Sequence, residues 1–479
     1  QNRDKLSNAY SNYVKLPREI AYAHLNKSLY LKNETIGFNV YIFDKNSKNH
    51  SDVTTNVYCS IADNKGRILN KSLILAENGV ANGSFLIDST YASGSYTFKA
   101  YTNWMKNFDE QNYYLQNIKI INTDDNNDVS ISMEAPQIDA QFLPEGGHLI
   151  SNIKNVVGVV IKDESGYGLR EAEGTIKDSN GALVTNFKTN QFGIGKFIFT
   201  PEDGKNYTSE IIYEGTTSII NIKPAERNGL NLSLNNLGSK IALTVRSNAN
   251  TLENVQGKQF RIIIHNGSLI KYLDLSFTDV QEITKLINIS DLYSGINIIT
   301  VFNEDNTPIL ERLFFNYDGI SVLNSEKAST AKSYDSITIT VPFKSINTTQ
   351  FHNLSVSILP SETTSYDTNH NILSSTHLQP YVKSYIENAR YYFTAVDRKK
   401  KFELDNLLLT QGWSSYEWNS IFNYEPTIKF DFEKGITVNA NMNTSKSNQF
   451  IVYPMINSST QTIDVPKNEK SFTIKGLLP

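Results

Sequence analysis

From Arg18 onward the chain sets apolar and polar residues in alternation, as in Thr35-Ile-Gly-Phe-Asn-Val-Tyr-Ile-Phe43. Successive side chains of a strand leave opposite faces, so a period of two predicts strands with one face buried. Turn-forming residues punctuate the runs at Asp63-Asn-Lys-Gly66, Asn78-Gly79, Asn82-Gly83 and Ser93-Gly94. Short strands with turns about every 8–12 residues are the mark of antiparallel sandwiches. The pattern restarts along the chain. Residues 17–124, 129–224, 227–318 and 319–423 are each expected to form one sandwich, with a partial β domain over 425–479. Residues 1–16 read as a linker holding a short helix, Asp4 to Leu16, that stops before Pro17. The fold class is therefore all-β, tandem sandwiches with one short helical insert near the C-terminus.

That insert, residues 378–421, breaks the period. Tyr381, Tyr385, Tyr392 and Val396 stand at helical spacing, and Asn388-Ala389 interrupts them, so one helix or two fit equally. The charge run Arg398 to Lys401 is expected to be a solvated corner. A second helix should start at Phe402, with Leu404, Leu407 and Leu408 on one face and Gly412 as its stop. Trp413, Tyr416 and Trp418 follow. Packing against the insert's own sandwich is the plain reading of so aromatic a segment. Docking a partner or stacking on a glycan stays open, because Trp, Tyr and Arg anchor many interfaces. The candidate interface residues are Tyr391, Tyr392, Phe393, Trp413, Tyr416 and Trp418.

Composition narrows the classes. A chain of 479 residues exceeds what one core supports. Its formal charge of −4, with no basic stripe, argues against a nucleic-acid footprint. No apolar run approaches the roughly 18 residues that a spanning helix needs. Cys59, the single cysteine, sits in an alternating strand and reads as a small buried residue. Gln1 reads as the first residue after a removed secretory signal, or as an arbitrary boundary; a lipoprotein would begin with Cys.

Chemistry is sparse. None of the seven histidines stands at zinc-ligand spacing, and His370 and His377 flank a polar loop where solvated side chains are expected. No Gly-x-Ser-x-Gly elbow occurs. Phe192-Gly-Ile-Gly-Lys-Phe197 lacks the spacing of a phosphate loop and reads as a glycine turn. Glu145 precedes two glycines and should occupy a tight turn. Asp124 to Asp128 could hold a cation weakly, but a solvated linker fits better. No catalytic residue, cofactor or metal site is expected.

One further pattern is specific. The stretch Tyr22 to Tyr41 contains Leu25, Tyr30 and Glu34-Thr-Ile36, and is followed by Gly94 to Met105, Phe142-Leu-Pro-Glu-Gly-Gly147 and Gly193 to Pro201. Then come Gly295 to Phe302 with Glu311 to Phe315, and last Leu407-Leu-Leu-Thr-Gln-Gly-Trp413. In this order they resemble the macroglobulin-like repeat proteins of Bacteroidetes across roughly residues 17–420. The resemblance implies exported, outer-membrane-associated rows of macroglobulin-type sandwiches. It implies as partner an outer-membrane β-barrel or TonB-dependent transporter complex. Relatives continue into carboxypeptidase-regulatory-like and plug-like domains, and residues 425–479 look like the start of that continuation. Covalent trapping of the alpha-2-macroglobulin kind needs Cys-Gly-Glu-Gln, whereas Cys59 is followed by Ser60-Ile61.

Overall fold

Alternating runs pair into sheets wherever neighbours in sequence can fold back on them. The computed structural model describes residues 2–124, 138–323, 325–344, 346–425, 427–443, 448–453 and 461–477. Most of the acidic stretch Asp124 to Asp128 lies outside the described residues. In the first sandwich, Thr35–Asp44 pairs antiparallel with Glu19–Leu25 on one side and Val80–Leu86 on the other. A five-stranded sheet of Leu29–Leu31, Tyr114–Ile121, Gly94–Tyr101, Asn56–Asp63 and Ile68–Leu75 closes over it. Gly79 makes one connecting turn possible: its φ is +71°, and a Cβ there would lie 2.6 Å from the Ile42 carbonyl oxygen. Cys59 is fully buried, and burial pushes its thiol well above the ordinary range, so it is an inert core residue.

The second sandwich pairs a three-stranded sheet (Ile194–Phe199, Asn155–Lys162, Asp139–Pro144) with a four-stranded one between Glu173 and Ile222. The third pairs Leu230–Asn236, Lys240–Ser247 and Glu282–Asn288 with Ile270–Ser276, Gln259–His265, Gly295–Phe302 and Pro308–Asn316. Gly295–Phe302 is buried at every residue. Ile299 and Val301 face the core of their own sandwich, while Ile296, Ile298 and Phe302 face a different core on the other side. A strand covered on both faces reads as a continuous apolar run instead of an alternation.

That second core is built by helices. Helix α1 (Asn2–Val14) buries Leu6, Tyr10 and Tyr13 in it, so the N-terminal segment is a packing element and not a mere linker. A short helix α2 (Ala249–Val255) belongs to the third sandwich. Helices α3 (Ile372–His377), α4 (Arg398–Thr410) and α5 (Trp418–Phe422) supply the rest, with 3-10 turns at Gln379–Tyr381 and Ala389–Phe393.

The fourth sandwich expected over 319–423 is not what the described residues form. They contain one hairpin, Ser329–Ser333 with Ser336–Thr340, exposed at every position, then extended chain, then the helical segment. The reason is local. The strand-like runs there find no third strand, and the helical residues pack on the second and third sandwiches instead. Residues 425–479 form two strand pairs, Ile436–Asn441 with Ser471–Leu477 and Asn448–Val452 with Gln461–Val465. They are tethered to the first sandwich: Phe432 stacks on Trp104 at 4.0 Å, and the Glu433 carboxylate accepts from Tyr58 Oη and Asn103 Nδ2, both at 2.9 Å. Among the described residues no helix is long and apolar enough to cross a membrane.

Candidate interaction site: the helical segment

Local signals set the segment before packing does. The Asp397 carboxylate accepts the Lys400 backbone N–H at 2.8 Å and caps α4, so Arg398 to Lys401 form its first turn instead of the expected corner. Cations at a helix N-terminus oppose the dipole. Here Lys400 lies over the Tyr391 ring at 4.6 Å and Lys401 over Tyr317 at 5.2 Å, contacts that offset the opposition. Gly412, at φ +63°, follows the end of the helix in the left-handed region that glycine favours.

Four of the six candidate interface residues are interior. Trp418 is 2 % exposed; its ring meets Phe302 edge-on at 4.7 Å and stacks on Tyr10 at 6.0 Å, and its Nε1–H donates to Thr300 Oγ1 at 3.4 Å. Tyr416 lies between His265 and Tyr381. Tyr392 packs on Phe192 of the second sandwich, and Phe393 meets Phe315 of the third at 5.3 Å. Tyr391 is half-buried and donates to Glu403 Oε2 at 2.7 Å. Trp413, 37 % exposed, is the most exposed of the six. Packing, the plain reading of the segment, describes Tyr392, Phe393, Tyr416 and Trp418, which face one another and the sandwiches because burying a large ring contributes more than leaving it wet.

Polar locks surround this core. Arg312, buried in the third sandwich, donates from Nε to Glu145 of the second at 2.7 Å and from a terminal nitrogen to Asp405 of α4 at 2.8 Å. Glu145 does occupy a tight turn, with Gly146 at φ +83°, and its carboxylate also accepts the Leu234 N–H at 3.1 Å. Burial pushes the Glu145 carboxyl up and the Arg312 guanidinium draws it back, which suits a structural ion pair. Glu311 accepts the Ser414 N–H at 2.6 Å and the Thr300 hydroxyl at 2.7 Å.

The first sandwich joins through two lysines. Lys45, 1 % exposed, lies 5.0 Å from the Tyr381 ring centroid and 5.1 Å from that of Tyr416. Lys48 donates to the Thr376 carbonyl at 2.8 Å, near the C-terminus of α3, and to Tyr381 Oη at 2.9 Å. Burial holds Lys45 down to about 8 and Lys48 to about 7. His370 is buried and His377 half-buried, against the expected solvation, and burial lowers both to about 4. The reason is that α3 and its flanks fold into the interface instead of looping outward.

Arg312, Glu145, Asp405, Glu311, Lys45 and Lys48 thus tie the helical segment to all three sandwiches. Among the described residues no group of three or more His, Cys, Asp or Glu could hold a metal. Sequence reasoning missed Arg312, Lys45 and Lys48 as the segment's polar partners. The signal for a covered outer face was present in Ile262-Ile-Ile264 and Leu313-Phe-Phe315, runs too continuous for a half-exposed strand.

No family profile matches the sequence, and no curated protein does. Among solved structures, the native alpha-2-macroglobulin of Escherichia coli overlaps 68% of this chain and 25% of its own, at 13% identity and a TM-score of 0.19. The elastase-activated form of that protein overlaps 68% and 33%, at 13% identity and a TM-score of 0.23. Dimeric latent PorU from Porphyromonas gingivalis overlaps 62% and 34%, at 10% identity and a TM-score of 0.29. The chain spans a quarter to a third of the length of these structures. The assignment to tandem immunoglobulin/macroglobulin-like sandwiches rests on the sheets themselves.

Proposed function

We propose that this chain is a non-enzymatic, outer-membrane-associated accessory or scaffold protein that docks on a β-barrel transport or assembly complex. One observation carries the reading: a single buried core takes in α1, two sandwiches and the helical segment. A scaffold needs parts fixed at set angles, and a shared apolar core with buried ion pairs fixes them better than a flexible linker does. The docking surface would lie outside that core, on exposed sheet faces and near Trp413. Affinity purification of the native protein from mildly solubilised outer membranes tests this. A stoichiometric β-barrel partner in the mass spectrum is expected; recovery of the protein alone overturns it.

A second reading, a glycan- or peptide-binding surface module, draws on a cleft of about 840 Å³ between the first sandwich, the third and α3. Asn46, Asn49, Asn266 and Asn371 line it beside Tyr293. Amides and a ring suit hydroxyl-rich or peptide ligands. Glycan and peptide arrays probed with wild type and with Tyr293→Ala test it, and loss of a hit in the variant is the expected result.

A further inference from the structure

The extended chain that follows the exposed hairpin carries an unusual pattern. From Asn353 to Leu359 it reads Asn-Leu-Ser-Val-Ser-Ile-Leu. Its polar side faces the first sandwich: Ser355 Oγ lies 2.7 Å from His24 Nδ1, Ser357 donates to the Asn26 carbonyl at 2.6 Å, and Asn353 accepts from Tyr41 Oη at 3.0 Å. Its apolar side faces outward. Leu354, Val356 and Ile358 are 62%, 64% and 74% exposed. An alternating strand ordinarily turns these two faces the other way.

The backbone is also open. Among the described residues, positions 351–359 make no backbone–backbone hydrogen bond and belong to no sheet. Free edges are usually protected by charge, above all by lysine. Between Lys344 and Glu362 this chain has no Asp, Glu, Lys or Arg at all, although a fifth of its residues are charged. An unprotected strand edge with an apolar row is a template for another strand.

The pattern also says which strand. Leu354-Ser-Val-Ser-Ile358 is self-complementary when read antiparallel about Val356. Leu354 comes opposite Ile358 of a second copy, Val356 opposite its own counterpart, and Ser355 opposite Ser357. In a twofold interface residue i meets j and j meets i, which this run satisfies without a shift of register. We infer that residues 353–359 are a homodimerisation strand, pairing antiparallel with the same segment of a second copy of this chain. The paired strands fill each other's ladder bonds and join their apolar rows into one strip, with both serine rows still turned to the sandwiches.

Light scattering on the purified full chain over a wide concentration range tests this. Wild type should show a concentration-dependent dimer, and Val356→Lys should weaken association by roughly tenfold or more. The side chain is exposed, so the melting temperature of the dilute variant should match that of dilute wild type. Ile219→Lys, on an exposed strand of the second sandwich, should leave the dimer intact. A wild type that stays monomeric throughout overturns the inference. So does a dimer that resists Val356→Lys, or one that Ile219→Lys dissociates equally well.

Discussion

Two apolar stretches within residues 319–423 meet opposite fates. Residues 372–422 carry rings and leucines at helical spacing, and most of them enter a core shared with two sandwiches, while Tyr385, Phe402 and Trp413 stay exposed. Residues 329–358 carry Ile337, Ile339, Leu354, Val356 and Ile358 at a spacing of two, and all five are exposed. Hydrophobic content does not separate the stretches. Supply of a partner surface does: the third sandwich offers Ile263, Ile298 and Leu313 to the helices, and nothing among the described residues covers the strands. Burial is a property of a pair of surfaces, so a pattern can state a face's need without showing that it is met.

The comparison breaks most visibly at its buried end. Trp418→Ala removes a fully packed indole between Phe302, His265 and Tyr10 and should cost roughly 3–5 kcal/mol. Urea denaturation followed by circular dichroism reads this as a lowered midpoint. An effect below about 1 kcal/mol would mean that the helical segment is not a keystone of the fold. Arg312→Ala should come close behind, at about 3 kcal/mol or more, because it leaves Glu145 buried without its cation. Adding Glu145→Gln should recover part of the loss, since the uncompensated charge is then gone. If the double variant is no more stable than Arg312→Ala, the pair is not the lock described.

Acidity probes the buried end of the comparison, because burial shifts several titratable groups of the helical core. Lys45 and Lys48 are lowered to about 8 and about 7 in the fold, while an unfolded lysine titrates near about 10.4. Between those values the unfolded chain binds more protons, so stability rises with pH. His265, His370 and His377, lowered to about 3, 4 and 4, act with the same sign lower down: their contribution is lost as pH falls through about 6.5. The groups facing the lysines are Asp44, Glu110, Arg18, Tyr381, Tyr416 and His377. Above about pH 10 the sign reverses, because burial raises the phenols of Tyr13, Tyr381 and Tyr416 and the unfolded chain loses those protons first. Thermal melts at fixed ionic strength should therefore climb from about pH 4 to about pH 9, and Lys45→Met should flatten the limb above pH 7. A melting temperature independent of pH across that span would contradict the placement of both lysines.

The contrast also explains how far the sequence could be read. Strands such as Thr35–Asp44 were legible from alternation, but of the two Asn-Gly pairs nearby only Asn78-Gly79 is a turn: Asn82-Gly83, read as a turn from its residues, lies inside strand Val80–Leu86, opposite Asn39 and Phe38. The supposed fourth sandwich was misread because Ser336–Thr340 and Leu354 to Ile358 alternate like any half-buried strand, whether or not a sheet receives them. The segment's helices were legible from spacing, but the start of α4 was displaced because a charge run looks like a solvated corner unless Asp397 is weighed as a cap. The role of α1 was missed although Leu6, Tyr10 and Tyr13 stand four and three residues apart, on one helical face. The long-range partners, Arg312 with Glu145 and Lys48 with α3, had no local signal at all. They meet only after the sandwiches are set at their angles.

The smallest expected effect discriminates best between the two fates within one segment. Trp413 and Trp418 stand five positions apart, yet one is 37 % and the other 2 % exposed. Trp413→Ala should change stability by less than about 0.5 kcal/mol, since a half-wet ring gives up little on truncation. If the proposed scaffold docks through this side of the molecule, the same variant should lower the yield of co-purified β-barrel partner without lowering the melting temperature. Trp418→Ala should lower both, because it loosens the frame that presents any surface. A Trp413→Ala protein that melts like wild type and retains its full complex would move the docking surface away from the helical segment. The aromatics singled out from the sequence would then be packing residues, and the search for the contact would turn to the exposed sheet faces.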